Sequence, residues 1–110
     1  MEYSIKEIVG VIGAKARNLQ DSTISILLTD SRRLSFPEQS LFFALKTKTN
    51  DGHRYIKELY KLRVRNFVVS EMLPEFESLQ EANFLVVKDT LKALQKLAIY
   101  HRKRFNIPVI

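Results

Sequence analysis

Short apolar runs of strand length alternate along this chain with segments of helical periodicity. Residues 41–45, 67–69 and 84–87 are uninterrupted apolar runs, which are typical of strands buried on both faces of a sheet. An alternating segment at 24–28 predicts a further strand. Polar turns or helical segments separate these runs, and no internal repeat is present. This order predicts an α/β fold, with a small mixed β-sheet flanked by helices.

Three segments have the apolar spacing of amphipathic helices. The first, at residues 4–12, has Ser4 at a capping-box position and Gly13 as a stop. The second covers 51–63, and its predicted inward face consists of Tyr55, Ile56, Leu59, Tyr60 and Leu62. The third follows Asp89, which can cap it. The side chains it is expected to bury are Leu91, Leu94, Leu97, Ala98 and Phe105.

The composition bounds the classes of function. A chain of 110 residues buries one modest core, so one domain is expected. It has no cysteine and two histidines, and we predict neither a disulfide nor a metal site. No apolar run approaches the roughly 20 residues that cross a bilayer. Glu2 and Glu7 stand where a signal peptide carries basic residues, so a cytoplasmic protein without a membrane partner is expected. The formal charge of +6 favours anionic partners.

Polar donors are concentrated where the predicted strands end. Residues 29–32 follow the strand at 24–28, and Lys46 follows the run at 41–45. Residues 51–53 then begin a helix. Ligands of α/β proteins are held at the carboxyl ends of strands, and hydroxyl, guanidinium, ammonium and imidazole donors suit a phosphorylated ligand. The predicted binding residues are Asp30, Ser31, Arg32, Leu45, Lys46, Asp51, Gly52 and His53.

The order of these motifs resembles that of the Mur ligases, the ATP-dependent amide ligases that build the peptide stem of peptidoglycan. In that family a similar stretch lines the pocket for the UDP end of the sugar-peptide substrate. The matching tracts here are Thr29-Asp30-Ser31-Arg32, Leu41-Phe42-Phe43-Ala44-Leu45-Lys46 and Asp51-Gly52-His53. Residues 89–98, with Arg102, Phe105, Pro108, Val109 and Ile110, look like the helix and strand that lead into the family's ATP-binding glycine loop.

The resemblance implies that this chain is one domain of a larger protein and that different domains bind the UDP end of the substrate and ATP. Residues 1–110 would form an N-terminal UDP-substrate-binding domain, and an ATP-binding domain is expected after Ile110. The full-length protein would be a ligase that uses ATP and Mg²⁺ and acts on a UDP-linked muramoyl peptide. This segment alone would hold the UDP end and would not catalyse. The last helix is most similar to the branch that adds D-alanyl-D-alanine, and the branch that adds diaminopimelate or lysine is the alternative. A monomer is expected.

Three positions depart from the family's pattern. Thr47 and Arg63 stand where glycine is usual, and Leu59 stands where a small residue is usual. A positive φ is unfavourable for any residue with a Cβ atom. If the backbone at Thr47 or Arg63 has the conformation that favours glycine, the side chain therefore opposes it.

The donor cluster at Asp30-Ser31-Arg32 also has a structural interpretation. Asp30 or Ser31 can bond nearby backbone amides at a strand-to-turn junction. In the functional interpretation the Ser31 hydroxyl and the amides of this turn receive diphosphate oxygens, and Arg32 supplies charge. Arg32 could instead anchor Asp30 and shape the loop. The residues leave these interpretations open.

The donor cluster at Asp51-Gly52-His53 also has both a structural and a functional interpretation. Asp51 can cap a helix, with Gly52 in a φ that other residues resist and His53 completing the first turn. Alternatively, His53 and the amino end of the helix face the anionic or uridine part of the ligand. Phe42 and Phe43 must point to opposite sides of a strand, so at least one is core and the other could abut a uracil ring.

A basic nucleic-acid-binding module is a second class of function. It is motivated by the charge and by aromatic side chains that could stack on bases, namely Phe42, Phe43, Tyr55 and Tyr60. However, the basic residues are spread over several elements instead of one stripe, and these aromatics coincide with predicted core faces. No nucleic-acid partner is therefore expected.

Overall fold

The computed structural model describes residues 2–17, 19–29 and 35–105, and the side chains of residues 104 and 105 are not described. The elements in chain order are β1 (Tyr3–Ser4), α1 (Ile5–Ile12), β2 (Lys15–Arg17), β3 (Thr23–Ile24), β4 (Ile26–Leu28), β5 (Ser40–Phe43), α2 (Ile56–Lys61), β6 (Asn66–Val69), β7 (Asn83–Val86) and α3 (Thr90–Phe105). Short 3-10 turns cover Pro37–Gln39, Gly52–Tyr55 and Pro74–Ser78. No helix among the described residues is long and apolar enough to span a membrane.

Five strands form one mixed sheet in the order β2-β7-β6-β5-β4. Strands β4, β5, β6 and β7 run parallel, while β2 is antiparallel to β7 at the edge. The two-residue strands β1 and β3 pair separately. The predicted α/β fold with a small mixed sheet flanked by helices is therefore confirmed. The parallel arrangement brings the carboxyl ends of four strands to one edge.

Apolar side chains cover both faces of the sheet, as the uninterrupted runs predict. On one face, Phe42, Phe67 and Phe84 lie in register across three strands, and the Phe76 ring stacks on Phe84 at 5.2 Å. Helix α2 covers this face through Ile56 and Leu59. On the other face, α1 and α3 pack on a cluster that includes Leu41, Phe43, Val68 and Leu85.

Helix α1 begins and ends where its sequence predicts. The Ser4 Oγ accepts a hydrogen bond from the Glu7 N–H at 3.2 Å, and Gly13 ends the helix with φ of 65°. Ile5, Ile8 and Ile12 form the buried stripe. The Glu7 carboxylate accepts a hydrogen bond from the Tyr100 hydroxyl, which joins α1 to α3.

The predicted strand at 24–28 is divided in two. Ile24 pairs with Tyr3 in the small ladder, while Ile26 begins β4 in the main sheet. Between them, the Ser25 N–H donates to the Gln39 carbonyl oxygen at 2.9 Å, because the chain turns from one ladder to the other at this residue. The edge strand β2 was not predicted, since its sequence Lys-Ala-Arg has too little apolar character to signal a strand.

Two helical faces differ from the prediction. Leu62 is 49% exposed, because α2 ends at Lys61 and Leu62 lies past its last turn. In α3 the buried side chains are Thr90, Ala93 and Leu97, so the prediction is confirmed for Leu97 but wrong for Leu91 and Ala98, which are exposed. A tertiary contact sets which face of α3 points inward, because the Thr90 hydroxyl donates to the Ala44 carbonyl oxygen in the interior. The predicted strand at 108–110 and the Phe105 side chain lie outside the described residues.

Of the two positions where glycine is usual in the family, Arg63 has a strained backbone and Thr47 does not. Arg63 is the one non-glycine residue of the described chain with a positive φ, at 77°. It follows α2 in a Schellman arrangement, in which the Val64 N–H donates to the Leu59 carbonyl oxygen at 3.0 Å and the Arg63 N–H donates to the Tyr60 carbonyl oxygen at 3.0 Å. The family's usual glycine would be unstrained here.

We expect Arg63→Gly to raise the free energy of unfolding by about 1 kcal/mol, because glycine adopts the left-handed conformation without a Cβ clash. Urea denaturation measures the change. Arg63→Ala is the matched control, since it also removes the exposed ion pair with Glu38 at 3.7 Å, which contributes little, but keeps a Cβ atom. Equal stabilities of the two variants would contradict the strain assignment.

Candidate functional site

A groove of about 450 Å³ lies at the carboxyl ends of strands β5, β6 and β7. The loop after β5, the residue after β6 and the turn between β7 and α3 each contribute to its walls. The lining residues are Leu45, Lys46, Thr47, Ser70, Lys88, Asp89, Thr90 and Leu91. This edge of a parallel sheet is where α/β proteins hold ligands.

The loop after β5 is packed against its own backbone at Gly52. A Cβ atom at this position would lie 2.9 Å from the Ala44 Cα atom and 2.9 Å from the Leu45 nitrogen. The Gly52 N–H also donates to the Leu45 carbonyl oxygen at 2.7 Å. The expectation that Gly52 takes a φ that other residues resist is wrong, because Gly13 is the described glycine with positive φ. Glycine is required at position 52 by the close approach of two backbone segments.

The start of α3 is joined to the end of β5. The Thr90 Oγ1 donates to the Ala44 carbonyl oxygen at 2.9 Å, and Thr90 is 5% exposed. Asp89 caps the helix as predicted, since its Oδ1 accepts from the Lys92 N–H at 3.1 Å. These bonds hold two walls of the groove together.

His53 is buried behind the groove, with both ring nitrogens engaged. Its Nε2 accepts from the Ser70 N–H at 3.1 Å, and a backbone N–H can only donate. The hydrogen of the ring is therefore on Nδ1, which lies 2.6 Å from Asp51 Oδ1. The backbone N–H of His53 donates to the same oxygen at 3.0 Å. The imidazole thus links the β5 loop to the end of β6, and Asp51 caps the turn that follows it, as one part of the structural interpretation expects.

Lys46 lies between the groove and two carboxylates. Its Nζ is 4.0 Å from Asp51 Oδ2 and 4.0 Å from Glu71 Oε1. Burial by itself raises the pKa of Asp51, but the hydrogen bonds from His53 and the positive charge of Lys46 outweigh it and hold this pKa below its ordinary value of 3.8. Asp51 therefore remains ionised near neutral pH and partly neutralises Lys46.

Asp51, His53 and Glu71 each offer one atom of metal-ligand type within 4.8 Å of one another. The Lys46 ammonium already lies near both carboxylates, at the distances given above. Both nitrogens of His53 have partners within the protein. Internal bonds and charges thus account for this cluster.

The eight predicted site residues fall into three groups. Leu45 and Lys46 line the groove. Asp51, Gly52 and His53 lie behind it and support its wall. Asp30, Ser31 and Arg32 lie outside the described residues. Six lining residues were not predicted as site residues, namely Thr47, Ser70, Lys88, Asp89, Thr90 and Leu91. Ser70 and Lys88 follow predicted strands, and that position was the available signal.

The aromatic side chains considered for base stacking are buried or lie against arginine side chains. Phe42 and Phe43 are 1% and 0% exposed, one on each face of the sheet, so neither ring is open to a uracil or any other base. The Arg65 guanidinium lies 4.2 Å from the centroid of the Tyr60 ring, and the Arg54 guanidinium lies 5.7 Å from that of Tyr55.

A second polar groove, of about 520 Å³, lies at the amino ends of β6 and β7. Its lining residues are Gln20, Asp21, Ser22, Glu38, Arg63, Arg65, Glu81 and Asn83. Its arginines are paired within the protein, Arg63 with Glu38 at 3.7 Å and Arg65 with Glu81 at 3.5 Å. The groove at the carboxyl ends of the strands is nevertheless the candidate functional site, although it is smaller, because α/β proteins hold ligands at that edge of the sheet.

Two known enzymes are similar in sequence to this chain. A UDP-N-acetylmuramoyl-tripeptide--D-alanyl-D-alanine ligase from Synechocystis sp. is 37% identical over 93 residues, which are 83% of this chain and 19% of that enzyme. A UDP-N-acetylmuramoyl-L-alanyl-D-glutamate--2,6-diaminopimelate ligase from Cytophaga hutchinsonii is 31% identical over 90 residues, which are 82% of this chain and 18% of that enzyme. No family model matches the chain.

A solved structure has the same fold. The UDP-N-acetylmuramoylalanyl-D-glutamyl-2,6-diaminopimelate--D-alanyl-D-alanyl ligase from Acinetobacter baumannii superposes with a TM-score of 0.80 at 24% identity, over 94% of this chain and 22% of that one. The chain spans about a fifth of the length of the relatives that it matches.

Proposed function

We propose that this chain, which belongs to the Mur ligase family, holds the UDP end of a UDP-linked muramoyl peptide. The observation that carries the proposal is the groove at the carboxyl ends of three parallel strands, with Lys46 and Lys88 among its lining residues. A diphosphate is doubly anionic or more, and charge-assisted hydrogen bonds from ammonium groups suit it. The names of both sequence relatives contain UDP-N-acetylmuramoyl.

Within this proposal the predicted residues have different roles. Leu45 would contact the ligand with its apolar side chain, and Lys46 with its charge. Asp51, Gly52 and His53 would keep the loop that carries both residues in place. Asp30, Ser31 and Arg32 follow β4, whose carboxyl end lies beside that of β5, and would complete the site from the neighbouring loop.

The proposed reaction of the whole enzyme is the ATP-dependent addition of D-alanyl-D-alanine, and the diaminopimelate- or lysine-adding branch is the alternative. The identity of 37% to a relative of the first branch, against 31% to one of the second, supports this order. We also propose that the enzyme acts in the cytoplasm as a monomer.

The phosphates of ATP do not fit the residues of this chain. Its three glycines, Gly10, Gly13 and Gly52, do not form a glycine-rich phosphate loop. No chemical step is therefore derived for this segment. Its contribution would be binding energy remote from the reacting carboxylate, which positions the substrate for the rest of the enzyme.

Titration calorimetry of the 110-residue chain tests the proposal. We expect weak binding of UDP and of UDP-N-acetylmuramic acid, no comparable affinity for ATP and no ATP hydrolysis, because the donors suit a diphosphate and a phosphate loop is lacking. Lys46→Met should weaken UDP binding, while Lys57→Met, an exposed lysine of α2 with the same change in net charge, should not.

Two outcomes would contradict this proposal. Equal affinities for UDP and ATP would count against a uridine site. A strong, salt-dependent affinity for oligonucleotides would favour the nucleic-acid alternative.

A further inference from the structure

We infer that Lys88 is the second cation of the candidate groove and contacts the diphosphate of the ligand, an assignment that rests on the proposed function. Lys88 belongs to the turn between β7 and α3, whereas Lys46 belongs to the loop after β5. Strand β6 lies between β5 and β7, and Ser70, which follows it, also lines the groove. The two ammonium groups thus come from opposite sides of Ser70.

The two lysines differ in how far their charge is already neutralised. Lys46 lies 4.0 Å from a carboxylate oxygen of Asp51 and 4.0 Å from one of Glu71. Lys88 is exposed, and its ammonium has no hydrogen bond or ion pair with the part of the chain that the structure describes. Its neighbour Asp89 uses a carboxylate oxygen to cap α3. Lys88 can therefore meet an anion without first losing a partner among the described residues.

The ligand's charge explains why one lysine is not enough. A diphosphate presents negative oxygens on two phosphorus atoms, and Lys46 shares its charge with two carboxylates. An ammonium without a partner among the described residues adds compensation from this side of the groove, and its flexible stem can follow phosphate oxygens without a fixed geometry. Lys88 is the lining residue that meets this requirement. Uridine has no phosphate, so its binding should not depend on Lys88.

NMR titrations of the 110-residue chain with UDP and with uridine test this assignment. We expect Lys88→Met to weaken UDP binding about five- to thirtyfold, as for one lost hydrogen bond to a charged group, and to leave uridine binding unchanged. Lys88→Arg should keep most of the UDP affinity, since it keeps the charge. Lys57→Met, with the same net charge as Lys88→Met, should bind both ligands as the wild type does.

Wild-type UDP affinity in Lys88→Met would overturn the inference, and so would an equal loss of UDP and uridine binding, because that pattern indicates a structural role. Failure of the wild-type chain to bind UDP at all would instead contradict the proposed function. Preserved uridine binding in Lys88→Met shows that the variant is folded, so a fold defect cannot imitate the expected result.

Discussion

Replacing His53 with alanine is expected to lower the free energy of unfolding by about 3 kcal/mol. The side chain is 1% exposed, so its removal leaves a cavity beneath the β5 loop. It also removes the acceptor of the Ser70 N–H and the ring donor to Asp51. A buried N–H without a partner adds its desolvation cost to that of the cavity. Urea denaturation monitored by circular dichroism measures the change.

Two further variants separate the two bonds of His53. His53→Asn can keep a donor to Asp51, because the Asn amide nitrogen lies close to the position of Nδ1. His53→Gln can keep an acceptor for the Ser70 N–H, because its amide oxygen reaches the position of Nε2. Each should be more stable than His53→Ala. An alanine variant with wild-type stability but much weaker UDP binding would contradict the structural role and make His53 a ligand contact.

Gly52→Ala is expected to lower the free energy of unfolding by about 3 kcal/mol, at the upper end of the usual cost of overpacking. The added methyl would meet the Ala44 Cα and the Leu45 nitrogen at 2.9 Å. Both are backbone atoms at the end of a central strand, so they cannot move aside as a flexible side chain would. The same urea denaturation gives the change.

Gly10→Ala is the matched control for this substitution. Gly10 lies within α1, where an added Cβ has no atom within 4 Å. This variant should gain about 0.5 to 1 kcal/mol from the higher helix propensity of alanine. The two glycine-to-alanine changes are therefore expected to have opposite signs. A small effect at both positions would show that the β5 loop is not closely packed at Gly52.

Much of the fold follows from local patterns in the sequence. The run at 41–45 and the strand at 67–69 are apolar at every position, and only a strand covered on both faces buries such a run. The ends of α1 follow from Ser4 and Gly13, and the start of α3 follows from Asp89, because each cap acts within one turn of its helix. The positive φ of Arg63 agrees with the resemblance, because glycine is usual at this position in the family.

Other features depend on contacts between distant residues, which the pattern does not contain. The hydrogen bond from Thr90 to Ala44, which are 46 positions apart in the chain, sets which face of α3 points inward. The polar strand β2 is formed because β7 offers it a ladder. The bond between the Ser70 N–H and the His53 ring joins residues that are 17 positions apart in the chain. Lys88 is marked in the sequence only by its position after the apolar run at 84–87.

The most direct test is to locate UDP on the ¹⁵N-labelled 110-residue chain by amide chemical-shift mapping. If the account is correct, the largest changes on adding UDP belong to lining residues of the groove at the carboxyl ends of the strands, namely Lys46, Thr47, Ser70 and Lys88. The amides of Gln20, Arg63 and Arg65, in the polar groove at the amino ends of β6 and β7, should stay unchanged. Largest changes at Arg63 and Arg65, with none at Lys46 and Ser70, would contradict it.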